Sequence, residues 1–66
     1  MEFKTKEQAL DYFKDINLLK PAGVLSALEE IQYNLTYSYY LGVIAGINLV
    51  SDFNLIVNDN GKITTN

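Results

Sequence analysis

Residues 21–51 read PAGVLSALEEIQYNLTYSYYLGVIAGINLVS, and the order of apolar positions within them decides the fold. Val24, Leu25, Leu28, Ile31, Leu35, Tyr39, Gly42, Gly46 and Leu49 recur at helical spacing, with Leu28, Leu35, Gly42 and Leu49 seven apart. Pro21 reads as the first helical residue, where a missing N–H costs nothing. No later proline interrupts the run. The pattern predicts one long helix over about 21–51. A break near Thr36 is the alternative, because Thr36, Tyr37 and Ser38 are weaker helix formers.

The same stretch carries a second apolar set. At about 100° per residue, Tyr33, Tyr37, Tyr40, Ile44 and Ile47 fall roughly 150° from the first stripe. A helix apolar on nearly opposite sides needs cover on both. Gly42 and Gly46 read as positions of close helix packing, where another backbone can approach.

Outward from this helix, Thr5-Lys6-Glu7-Gln8 matches a capping box, with Gln8 reaching back to the Thr5 N–H. A short helix is expected over about 6–17, its apolar side made by Ala9, Leu10, Tyr12, Phe13 and Ile16 and its end set by Asn17. Toward the C-terminus, Asn60-Gly61 between Leu55-Ile56-Val57 and Ile63-Thr64-Thr65 reads as a type I′ turn in a short β-hairpin over about 54–65. A disordered polar end is the alternative. The fold class is therefore mainly α, a single small domain over 1–66. Helix 1 offers Leu10, Phe13 and Ile16 to cover the first stripe. Only the short tail remains for the second. Tyr33, Tyr37, Tyr40, Ile44 and Ile47 are thus expected to face another subunit or a partner protein, a surface that suits tyrosine.

Composition points the same way. The 66 residues contain no Cys, His, Arg or Trp, and 5 Lys against 8 Asp and Glu leave a net charge of −3. A chain of this size buries about 60% of its unfolded surface and is marginal alone. Without cysteine there is no disulfide, and without His or Cys a zinc site is disfavoured, so oligomerisation is the expected remedy. No metal or other cofactor is expected.

Nucleophilic catalysis lacks its usual histidine base or thiolate. Glu7, Asp11 and Asp15 share a helical face with Lys14 beside them, the look of a solvated surface. The chain is not expected to be an enzyme. Four of the five lysines lie in the first twenty residues, matched there by Glu2, Glu7, Asp11 and Asp15, so no basic stripe offers itself to phosphates.

Two motifs tempt and fail, and a third is weakened by its own sequence. Asn58-Asp59-Asn60-Gly61 resembles part of a calcium loop, but Ile56 stands where the first Asp belongs and no closing Glu follows. Asn34-Leu35-Thr36 fits a glycosylation sequon without any sign of secretion. Ile31–Ser51 is uncharged over 21 residues and contains the Gly42-x-x-x-Gly46 pattern of membrane helices. Gln32, Asn34, Thr36, Ser38, Asn48 and Ser51 interrupt it, and Glu29, Glu30 and Asp52 flank it where a span wants Lys or Arg. The N-terminus lacks the basic and apolar regions of a signal peptide, so a cytoplasmic location is expected.

In being short, acidic and rich in Asn, Lys, Ile and Tyr, the chain resembles small helical proteins of phages and other mobile elements. That likeness carries no motif and assigns no residue a role. The function expected from these residues is a non-enzymatic protein–protein interaction module, self-associating, that inhibits or adapts a larger protein. The alternatives are a small dimeric DNA-binding regulator and a membrane-associated protein with a marginal span over 31–51.

Overall fold

The computed structural model describes residues 2–66. Its elements follow in the order α1 (Lys6–Phe13), α2 (Ala27–Val50), β1 (Leu55–Val57) and β2 (Ile63–Thr65). The molecule is mainly α with a C-terminal antiparallel hairpin, and α2 runs unbroken through Thr36–Ser38.

Helix α1 begins where its cap demands. The Thr5 side chain accepts from the Gln8 N–H at 3.2 Å, while the Gln8 amide accepts from Lys4 N–H rather than from Thr5. The helix stops at Phe13, four residues short of the expected end. The reason lies in Leu18, which is buried with both backbone groups committed to distant partners. Its N–H donates to the Gly61 carbonyl at 2.7 Å and its C=O accepts from the Tyr33 hydroxyl at 2.7 Å. A helix running through Asn17 would turn these groups away. Asn17 instead accepts from the Leu19 N–H at 2.9 Å and braces the extended segment.

Helix α2 begins six residues later than the Pro21 reading placed it. Gly23 has φ +92°, in the left-handed region that ends any helix through it. Ser26 is the cap of α2: its hydroxyl accepts from Glu29 N–H at 3.2 Å and the Glu29 carboxylate accepts from Ser26 N–H at 3.1 Å. These two bonds satisfy two donors that a helix start would otherwise leave open.

The hairpin pairs Leu55 with Thr65, Ile56 with Thr64 and Val57 with Ile63. Its loop is not the expected type I′ turn. Gly61 N–H donates to the Asn58 carbonyl at 2.9 Å, and among the described residues only Gly23 and Gly61 have positive φ. Asn60 therefore keeps an ordinary conformation, and the Asn58 side chain accepts from the Asn60 and Lys62 N–H groups at 2.9 and 3.0 Å.

Strand β1 lies against α2 and β2 against α1, which places the hairpin between the helices as the third wall of one core. That core consists of Ala9, Phe13, Leu18, Ile44, Ile47, Leu55 and Ile63. The outer edge of β1 is closed by Asn48 of α2, which donates to the Leu55 C=O at 3.0 Å and accepts from the Leu55 N–H at 2.8 Å.

Candidate functional site

The five residues expected at an interface lie on the inside. Ile44 and Ile47 are 5% and 1% exposed, and Tyr33, Tyr37 and Tyr40 are half-buried. The Tyr40 ring stands edge-on to Phe13 at 6.4 Å between centroids, and Tyr33 stacks obliquely with Tyr37 at 5.9 Å. The reading that this side is left bare by its own chain is overturned. The tail that looked too short to cover it does cover it, with Leu18 of the connecting segment filling the remainder.

The bare side is the opposite stripe. Leu28, Leu35, Tyr39 and Leu49 are 65%, 66%, 64% and 86% exposed, and Ile31 and Val50 are exposed beside them. Most of these are the residues whose spacing defines the helix in the sequence. Helix α1 does not reach them, because β2 and Leu18 hold it on the other side of α2. Twenty-one consecutive residues without charge, Ile31 to Ser51, leave most of this stretch of helix uncharged, with Glu29 and Glu30 at its N-terminal end. Contiguous exposed apolar side chains of this kind mark association surfaces in globular proteins.

Gly42 and Gly46 form a shallow groove in the C-terminal half of this face, lined also by Glu2, Tyr39, Val43 and Val50. The expected close packing at these glycines does not occur within the chain: a Cβ added at either would meet nothing within 4 Å. Intrachain packing gives no reason for glycine here.

A second concave surface is polar and lies at the far end of α2, among Lys6, Asn48, Ser51, Asp52, Asn54 and Asn66. Ser51 Oγ is buried there without a hydrogen-bond partner, and Asn48 is already committed to Leu55. The ionisable side chains in this lining are Lys6 and Asp52, and neither is hydrogen-bonded to the Ser51 hydroxyl.

The charged groups are held near the surface. Lys14 pairs with Asp11 at 3.4 Å and Lys20 with Glu30 at 3.5 Å. The backbone N–H of Ser26, seconded by its hydroxyl, holds the Glu29 carboxyl below the usual carboxylate range. Among the described residues no group of three or more acidic, His or Cys side chains could hold a metal ion. None of the described helices is long and apolar enough to cross a membrane.

Comparison with known protein families, curated proteins and solved structures returned no match to this chain, so its residues and geometry alone carry the functional reading.

Proposed function

We propose that the chain is a non-enzymatic protein–protein interaction module whose working surface is the outward face of α2, centred on Leu28, Ile31, Leu35, Tyr39 and Leu49. The observation that carries this reading is a helix whose core face is covered by its own chain while its opposite face stays apolar and open, with no charged residue of the helix from Ile31 to its end. Burying such a face is favourable at about 25 cal/mol per Å² of apolar surface removed from water. The biological setting consistent with this surface is an oligomeric inhibitor or regulatory adaptor of a larger protein. The surface moves from the Tyr33–Ile47 side, where spacing alone placed it, to the side opposite.

Nothing on the surface favours DNA: two of five lysines are engaged with carboxylates, and the net charge is −3.

Site-specific photo-crosslinking in the native cell tests the reading. A photoreactive residue at Leu35 is expected to give adducts of discrete mass, while one at exposed Lys62, on the hairpin, gives none. Absence of adducts from positions 28, 35 and 49 alike would overturn the assignment.

A further inference from the structure

We infer that the occupant of the outward face of α2 is a second copy of this chain, docked antiparallel so that the leucines of one copy enter the glycine groove of the other. The inference rests on the reading of this face as an association surface, and it deepens that reading by naming the partner and the register.

The face is asymmetric along its length. Its N-terminal half is bulky, with Leu28, Ile31 and Leu35, and its C-terminal half is hollowed at Gly42 and Gly46. Two antiparallel copies related by a twofold axis place residue i level with residue j wherever the two numbers have a constant sum. Setting Leu35 level with the partner's Gly42 also sets Ile31 level with the partner's Gly46 and Leu28 level with the partner's Leu49. Each large side chain in the bulky half then meets a hollow or another leucine, and the twofold axis passes between Ser38 and Tyr39. A single register satisfies all three pairings. Self-complementarity of this kind is what an isologous interface requires.

Charge favours the same direction. A parallel pair would set Glu29 and Glu30 of both copies at one level, at helix starts whose dipoles are aligned. Antiparallel pairing places the two Glu29 side chains about 28 Å apart along the axis at 1.5 Å per residue, well beyond the screening length.

The area is sufficient. A compact monomer of 7.4 kDa is expected to expose about 4,200 Å². This chain exposes 4821 Å², about 600 Å² more than that. Covering that much on each copy buries about 1,200 Å² in total, the lower bound of stable, specific interfaces. The glycines fit this account as well. They are the poorest helix formers after proline, nothing in their own chain presses on them, and a partner's leucine would.

Because the chain has no cysteine, introduced thiols report the geometry without interference. Leu28→Cys and Leu49→Cys variants of the full chain, mixed under mild oxidation, are expected to form the mixed disulfide in preference to either symmetric one. Predominance of the Leu28→Cys homodimer would overturn the antiparallel arrangement. Gly42→Leu is expected to weaken dimerisation about 10- to 100-fold in sedimentation equilibrium while the circular dichroism of the monomer stays helical, since a Cβ at position 42 has no neighbour within 4 Å in its own chain. Unchanged dimerisation in that variant would sink the register. A wild-type chain that is monomeric at millimolar concentration would overturn the inference, as would its co-sedimentation with phosphatidylcholine vesicles as a monomer. If such a monomer still forms adducts at position 35 with a different protein, the self-pairing is lost and the association surface stands. If it forms none, both are lost.

Discussion

Gly61 is the position where one hydrogen atom in place of a side chain holds three segments together. Its φ of +76° lies in the left-handed region, and a Cβ there would collide with the backbone nitrogen of Leu19 and stand 2.8 Å from Asn17 Oδ1. Gly61→Ala is therefore penalised twice: about 1 kcal/mol for the conformation, and more for displacing the Leu18 N–H from the Gly61 carbonyl. A loss of about 2–4 kcal/mol in urea unfolding is expected. Gly23→Ala provides the contrast, because φ is +92° there but nothing lies within 4 Å, so only the conformational cost of about 1 kcal/mol remains. At Ser26, replacement by Ala removes the cap of α2 and should cost about 1 kcal/mol. The pH dependence comes from its partner. The Glu29 carboxyl is held below the usual range by the Ser26 N–H and hydroxyl, so it titrates lower folded than unfolded. The stability it contributes is complete above its unfolded pKa and is lost as pH falls through the depressed folded value. A Glu29→Gln variant, which has no carboxylate to protonate at this position, should accordingly show a shallower loss of stability on acidification, measured by thermal melts between pH 6 and pH 3.

Helix α2 is an element whose existence was legible and whose orientation was not. Apolar spacing reveals two stripes, and periodicity says nothing about which one the rest of the chain will cover. Three side chains decided it. Tyr33 needs a partner for its hydroxyl and finds the Leu18 carbonyl, while Asn48, on the same side as Ile44, finds the edge of β1. Leu18 itself looked like linker. The hairpin was legible from its two apolar runs and its Asn-Gly pair, but the turn type was not, because Asn58 supplies side-chain acceptors that fix a different loop. The start of α2 was written in Ser26-Ala27-Leu28-Glu29, a capping box as clear as the one at Thr5, and Pro21 drew the boundary away from it. Tertiary bonds to Leu18, invisible to local patterns, shortened α1. The dependence of hairpin on helix is testable at Asn48. Asn48→Ala strands both the N–H and the C=O of Leu55, which at about 1–2 kcal/mol for each partly buried unsatisfied group should cost about 2–4 kcal/mol. Amide exchange should then speed up first at Leu55 and its neighbours, before α2 is affected.

The whole molecule measures 39 × 18 × 16 Å, and its long dimension is the length of α2 with one side clothed. A core of seven buried residues is small for a chain that also leaves five large apolar side chains more than 60% exposed along that helix. Folding and association are then coupled: if the native state is a pair of chains, unfolding of the pair gives two free chains, and dilution favours unfolding by mass action. A tenfold increase in concentration stabilises such a dimer by about 1.4 kcal/mol, shared between two protomers. For domains of this size that raises Tm by about 3–5 °C, whereas the Tm of a monomer does not depend on concentration. Calorimetric scans from micromolar to millimolar protein should show this rise for the wild-type chain. The Gly42→Leu variant, with its groove filled, should show the rise only at about 10- to 100-fold higher concentration. In the dilute limit it should match or exceed the wild type, because leucine is the better helix former and its Cβ has no neighbour within 4 Å in its own chain. A wild-type Tm independent of concentration would mean that this core suffices alone and that the outward face of α2 is free of a second copy.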